Sequence, residues 1–462
     1  MSQSQPTRLW FLHLAARTVD RITAALPLVY LAWALPLLLM VAVTTPPWQN
    51  PDEASHMLRI SQIAHGGLLG YRFGNPMGSF ADPSILQSLQ AVYDAGLNPE
   101  QRMSLAMLTR AGAVQWGTAT PMAIGLTAQY PPVLYAPAVL AVEAGRILHL
   151  SVVHSLIAAR MANSVVCALI AAFALFLARR TKLALAVLIM LPMTVAMFAS
   201  AVQDGPIIAL TLAVVAGVDR IIAEERDPTF REAMLIGVAT VVIITARPPY
   251  LPLAALPLVC ARRLHRRAWV NSAAIFAVSV LWTGYIAAQT MAVPLRPGVD
   301  SIAQLMYILH TPWVIPTIAY NTVVLWHTDY TTMFIGVLGW LNVVLPGWYY
   351  SVAWFVLLLA FASAATGPGR RGWVALLIGL AAAGALFSAE YLIWTLPRAD
   401  HVDGIQGRSF IPLAAVLAIA VPTWRRVGEI VRRPALIAVL GLAVITPVVV
   451  VHALILRYYL VP

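Results

Sequence analysis

The chain of 462 residues is 60% hydrophobic and only 11% charged, with a mean hydropathy of +0.79, more apolar surface than a water-soluble domain of this length buries. Repeated apolar runs of about 18–25 residues mark a polytopic membrane protein, and without the alternating pattern of a barrel its spans are helices. The net charge of +11 sits in short basic clusters between apolar runs, the form the positive-inside rule takes, so it does not signal nucleic acid.

In chain order, the stretch from Arg8 to Arg21 reads as a basic amphipathic helix on the membrane surface. Eleven spans follow, near 22–44, 153–178, 183–202, 205–223, 233–247, 249–261, 269–292, 344–364, 373–394, 409–424 and 435–457. The first has no small-residue cleavage site and is expected to stay as an anchor. Residues 131–148 are apolar enough for a span, but counting them as one would put Arg179, Arg180 and Lys182 outside; they are read as a shallow or re-entrant helix. Arg247-Pro248-Pro249 breaks a short hairpin near the outer surface. Alternation then places 19 basic and 7 acidic residues on the cytoplasmic side, net +12, against 11 and 12 elsewhere, net −1. This bias orients the N-terminus inside. Cys167 and Cys260 fall in apolar spans and imply neither a disulfide nor a thiolate metal site.

The layout is one membrane domain, 1–462, all-α, with two long extracytoplasmic loops. The first covers 45–152 and carries juxtamembrane helices; the second covers 293–343, with an apolar stretch at 311–326 that dips toward the bilayer. No repeat of 20–50 residues is visible.

The first loop opens on Asn50-Pro51-Asp52-Glu53. As local structure this is a helix start, with Asn as cap, Pro at the first helical position and acids in the first turn. The helix that follows puts Met57, Ile60 and Ile63 on one face and His56, Arg59 and Gln62 around the other, and is expected to lie along the bilayer surface. Spacings of four and three residues set Asp52 and Glu53 on the same face as His56. A carboxylate beside a histidine suits a general base or a metal ligand.

The segment NPDEASHMLRISQIAHGG, residues 50–67, resembles the first-loop motif of GT-C glycosyltransferases that use lipid-linked sugars, such as the 4-aminoarabinose transferases and protein O-mannosyltransferases. Tyr130-Pro131-Pro132-Val133-Leu134-Tyr135 is similar to their Pro-Pro-Leu-x-Tyr segment, and Arg160-Met161-Ala162-Asn163 to the opening of their next span. The likeness covers about residues 22–250. The chain as a whole also resembles a large family of bacterial polytopic membrane proteins, through Asp204 in SAVQDG, GVLGWLNVVLPGWYY and Gln406-Gly407-Arg408-Ser409-Phe410. The resemblance implies a GT-C-like bundle with Asp52 as catalytic base. The lysine that meets the donor phosphate in the aminoarabinose enzymes is replaced here by Gln129 and Tyr130, so other cations must serve.

The candidates by position are Arg247, at the outer break, and Arg408, at the start of the tenth span; arginine is a natural bidentate partner for phosphate. Arg408 could instead pair with Asp400, Asp403 or Glu390, and Asp204 could be an ordinary turn residue. His310, His327 and Asp329 lie in the second loop with Trp313, Trp326, Trp340 and Trp348, which read as interface anchors or as sugar-stacking rings.

The expected function is an inverting glycosyltransferase of the bacterial cytoplasmic membrane, its site on the outer face. It would move a sugar from a polyprenyl-phosphate donor to a hydroxyl of a glycan, lipid or protein acceptor. Asp52 would be the base, supported by Glu53 and His56, with Arg247 and Arg408 on the donor phosphate. Asp204 would hold the acceptor or, with Asp52 and Glu53, a divalent cation such as Mg or Mn. The competing expectation is a transporter or flippase for a lipid-linked or amphiphilic phosphate. Against it, the two halves show no matched pair of broken helices.

Overall fold

A computed structural model describes residues 5–72, 77–98, 100–290, 297–364, 369–420 and 425–460, with side chains from residue 21 onward except at 72, 97, 289, 290, 425 and 426. The chain is an all-α polytopic membrane protein. Helix α1 runs Gln5–Thr44 without interruption, so residues 5–21 continue the first span rather than forming a separate surface helix; the side chains before residue 21 lie outside the described residues.

The first loop then builds α2 (Glu53–Ala64), β1 (Tyr71–Arg72), β2 (Met77–Ala81), α3 (Ser84–Gln90), α4 (Tyr93–Leu97), α5 (Leu105–Ala113), β3 (Thr120–Ala123) and α6 (Ala136–Ile147). The strands form an antiparallel sheet in chain order, with Tyr71 opposite Gly78 and Gly78 opposite Ala123. Helix α2 packs against β2, α6 and the 3-10 turn Gly125–Gln129. It does not lie on the bilayer surface: His56, Arg59 and Gln62 are buried along with Met57 and Ile60. The rest of the loop folds back over its polar face. At about 1.5 Å per residue the 12 residues of α6 rise about 18 Å, well short of the hydrocarbon core.

The remaining helices are α7 (Val152–Leu177), α8 (Lys182–Met190), α9 (Pro192–Phe198), α10 (Asp204–Ala223), α11 (Phe230–Ala246), α12 (Leu256–Cys260) and α13 (Arg266–Thr290). After them come α14 (Ser301–His310), α15 (Ile315–Ile335), the strand pair β4 (Val337–Leu338) and β5 (Val343–Val344), α16 (Gly347–Ser363), α17 (Arg370–Ile393), α18 (Ile411–Ala420) and α19 (Arg425–Tyr458). All eleven expected apolar runs are mainly helical, but they are not eleven full spans. Among the described residues, six helices are long and apolar enough to cross a membrane, or seven if α14 and α15, bent by 94° at Pro312, make one broken span. Proline accounts for two of the shortfalls. Pro192 separates α8 from α9, and Pro248-Pro249 turns the sixth run into a 3-10 segment, Pro248–Ala255, before α12. The second expected loop is thus largely the bent pair α14–α15.

Residues 183–209 are buried without exception. A segment apolar on every side belongs in the middle of a bundle, and α8 and α9 are surrounded there by α1, α7, α10, α16, α18 and α19. The basic clusters gather at one end of the bundle. Asp219 Oδ2 accepts from the backbone nitrogens of Arg179, Arg180 and Thr181 at 2.7, 2.9 and 3.3 Å. Arg370 donates to the carbonyls of Leu258 and Ala261 at 3.1 and 2.7 Å. The chain ends of α1 and α11 and the starts of α10 and α18 meet at the opposite end, where the candidate site lies.

Candidate functional site

Helix α2 begins two residues later than its sequence suggests. Asp52 is the residue before it, at φ 62° and ψ 3°, and makes no side-chain cap. Asn50 does not cap either; its Nδ2 donates to Glu53 Oε1 at 3.1 Å. A left-handed residue other than glycine is strained, and Asp and Asn tolerate the strain best. The turn separates the two acids. Glu53 points inward and is buried. Asp52 keeps 54% of its side chain exposed.

Asp52 Oδ2 accepts from Arg408 Nη2 at 2.8 Å. Arg408, 6% exposed, also places Nε 3.1 Å from Asp204 Oδ2. Asp204 Oδ1 in turn accepts from Arg247 Nη2 at 2.7 Å, and Arg247 Nη1 donates to Ser409 Oγ at 2.5 Å. The result is a chain of alternating charge, Asp52–Arg408–Asp204–Arg247, drawn from the first loop and the ends of α18, α10 and α11. Four residues far apart in sequence and singled out individually thus meet in one place. Arg408 Nη1 is buried with no hydrogen-bond partner among the described residues, a donor that water or a ligand oxygen must satisfy. Gly407 seats this arginine: an added Cβ there would collide with the backbone of Tyr330, Met333 and Phe334 on α15.

His56 lies one turn along α2, its ring stacked on Tyr130 at 5.9 Å and its Nδ1 2.6 Å from the Tyr135 hydroxyl. Burial pushes its pKa down to about 4; the Asp204 and Asp52 carboxylates pull it up and Arg408 and Arg247 push it down. A neutral His56 at physiological pH positions rather than titrates. Because its folded pKa lies below the unfolded value of 6.5, the unfolded chain takes up the proton first, and stability is lost as pH falls from about 6.5 toward 4. The shift corresponds to about 3 kcal/mol. Thermal unfolding in detergent between pH 7 and pH 4.5 should show this slope in the wild type and a shallower one in His56→Gln; equal slopes would refute it.

Glu53 does not join the site. It pairs with Arg160 of α7, Nη2 to Oε2 2.6 Å, both side chains 0% exposed. Its Oε1 also accepts from Arg160 Nε at 2.8 Å and from the Ala201 backbone at 3.2 Å. The expected cation ligands Asp52, Glu53 and Asp204 therefore do not converge, and the two aspartates are already bridged by arginine. No group of three His, Cys, Asp or Glu side chains among the described residues could hold a metal. As arranged here, the three carboxylates share no single cation position.

Other candidates find other partners. Asp400 and Asp403 flank His401 at 2.8 and 3.2 Å rather than Arg408. Glu390 lies near enough to Arg247 to feel its charge, without a direct bond to Arg408. His310 and His327 hold backbone carbonyls of their own helices, and Trp340 donates to the Trp48 carbonyl at 2.6 Å; none of these reaches the charge chain. Sequence reasoning gave Ser409 no role beyond its place in the motif and missed Tyr250, whose hydroxyl donates to the Ser409 carbonyl at 2.7 Å. Tyr250 stands three residues after Arg247, and that adjacency to the Pro-Pro break was the available signal.

The sequence model of one family, described as "Predicted membrane protein (DUF2142)", matches residues 35–417. No curated protein and no solved structure matches the chain.

Proposed function

We propose that this chain, which belongs to the DUF2142 family of predicted membrane proteins, is an inverting glycosyltransferase of the GT-C type. Its donor is a polyprenyl-phosphate sugar and its acceptor a hydroxyl. The observation that carries the reading is an exposed carboxylate, Asp52, touching a buried arginine with an unsatisfied Nη1, within one cluster of two arginines and two aspartates. The site lies at the end of the bundle opposite the basic clusters, and by the positive-inside rule that end is extracytoplasmic. Sugar nucleotides are absent there, so an activated sugar arrives on a lipid. The reading assigns the protein to the cytoplasmic membrane of a bacterium.

In this reaction the acceptor hydroxyl gives its proton to Asp52 and its oxygen attacks the anomeric carbon. The bond from that carbon to the lipid phosphate breaks on the far side, and the phosphate keeps the electron pair. Inversion follows from a single displacement. Arg408 and Arg247 stabilise the negative charge that grows on the departing phosphate. Asp204 holds the two guanidiniums apart and keeps the empty cluster neutral. An entering phosphate competes with Asp52 for Arg408 Nη2, so donor binding releases the base. His56, neutral and held by Tyr135, supports the wall behind Asp52. No step passes through a divalent cation.

The test is selective retention of lipid phosphate. Purified protein in detergent should hold polyprenyl phosphate at least about tenfold more tightly than the matching polyprenol, read by native mass spectrometry, since a hydrogen bond to a charged group contributes about 1.5–3 kcal/mol. Arg408→Met should remove that preference. Equal retention of alcohol and phosphate by the wild type would overturn the reading.

A further inference from the structure

At the other end of α2 from Asp52 lies an open groove of about 570 Å³, within the range of small-molecule sites. We infer that it is a glycan-binding subsite that holds the acceptor chain while its terminal hydroxyl reaches Asp52. The inference rests on the glycosyl-transfer reading and extends it to the substrate class, a linear chain of pyranoses.

Two kinds of surface line the groove. Tyr71 of β1 and Phe80 of β2 stand side by side, ring centroids 6.3 Å apart and tilted by 42°, 41% and 48% exposed. Such a ledge offers the flat apolar face that complements the C–H face of a pyranose. Facing it are hydrogen-bonding groups. Gln62 lines the groove and is itself fully buried; its Nε2 donates to the Ala128 carbonyl at 3.3 Å, while its Oε1 has no partner among the described residues. This buried amide oxygen beside the groove gains a partner when the side chain turns toward a donor that fills the groove, and a sugar hydroxyl supplies one.

The remaining polar wall is already set. His65 Nδ1 lies 2.7 Å from the Ser61 carbonyl and its Nε2 3.2 Å from Arg146 Nη1. This fixes the ring with its proton on Nδ1. Arg146 also pairs with Glu143 at 3.1 Å and lies over Trp116 at 5.8 Å, so its charge is compensated and its guanidinium edge is held in place. Gly66, at φ +81°, ends α2 with nothing within 4 Å of where a Cβ would stand, leaving its backbone open for close approach. A compensated, partly aromatic, hydrogen-bonding wall suits a polyhydroxylated chain better than a phosphate or a polyanion.

The groove is rigidly tied to the reaction centre. Arg59, buried midway along α2, donates to the carbonyls of Gly67, Leu68 and Tyr130 at 3.2, 2.8 and 2.5 Å. Tyr130 is the ring that stacks on His56. The 12 residues of α2 set the two ends about 18 Å apart, a distance that a single sugar does not cover and a short oligosaccharide does.

The test measures binding, which needs no transfer. Full-length protein in detergent is titrated by calorimetry with di- to hexasaccharides of linear α-glucan, β-glucan, mannan and β-linked N-acetylglucosamine. The expected result is that one series binds with affinity rising with length. Tyr71→Ala combined with Phe80→Ala should weaken it about tenfold or more, and Phe80→Trp should retain it. Phe80→Trp keeps the aromatic ledge, so its retained binding separates loss of the ledge from loss of the fold. No binding by any series, or binding indifferent to the aromatic pair, overturns the inference. If groove binding holds while lipid-phosphate selectivity is absent, only the catalytic reading falls.

Discussion

Replacing Arg160 with methionine is expected to prevent the protein from accumulating folded in the membrane. Arg160 makes five hydrogen bonds from a fully buried position. Two go to the Glu53 carboxylate at 2.8 and 2.6 Å. Three go to the carbonyls of Ala42, Thr45 and Pro46 at 3.0, 2.6 and 3.0 Å. Methionine would leave a buried carboxylate uncompensated and remove the donor from the carbonyls of Ala42 and Thr45 just where α1 ends, while Pro46 keeps the Gln49 backbone N–H. Breaking a buried pair from one side costs about 3–5 kcal/mol, a large share of the roughly 5–15 kcal/mol that holds a domain together. Glu53→Gln should do less harm, because an amide still accepts from Arg160 and the three carbonyls keep their donor. Yield of monodisperse protein and Tm in detergent would rank wild type, Glu53→Gln and Arg160→Met in that order. A wild-type Tm for Arg160→Met would show that the pair holds nothing.

Asp52→Asn is expected to lower sugar transfer about 10²–10⁴-fold, the usual contribution of a positioned general base, with stability changed by no more than about 0.5 kcal/mol. Asparagine suits the test because it adopts the left-handed conformation as readily as aspartate. Asp52→Ala does not, since it adds about 1–2 kcal/mol of backbone strain. Transfer from a polyprenyl-phosphate sugar, followed by release of lipid phosphate, supplies the readout. Full activity in Asp52→Asn would end its role as base. If the same variant and the wild type both carried lipid phosphate across vesicles, the transporter would take its place.

Asp52, Asp204, Arg247 and Arg408 were legible because charge is rare in this chain, and each stands at the end of an apolar run on the side away from the basic clusters. Their pairing was not: Arg408 had nearer acids in sequence, Asp400 and Asp403, which the fold gives to His401. Glu53 was misread as a partner of Asp52 because helical spacing assumes that both are helical, and the left-handed turn at Asp52 breaks that assumption. The burial of α2 was hidden for another reason. Its polar face, His56, Arg59 and Gln62, looks solvated until the strands and turns far along the loop close over it, and β1 and β2, of two and five residues, are too short to announce themselves. Helices were legible from apolar length, whereas their division by Pro192 and by Pro248-Pro249 reduced the number of full crossings.

The Glu53–Arg160 pair also sets an order of events at the ribosome. The two residues are 107 positions apart, so at about 5–20 residues per second the acid leaves the ribosome about 5–20 s before its partner is made. Through that interval the nascent loop stays hydrated and open, and it cannot close until α7 enters the bilayer beside α1. Insertion of α7 is thus the commitment step for the loop that carries Asp52. A protease or a holding chaperone that reaches the loop before that moment finds it open, and afterwards shut.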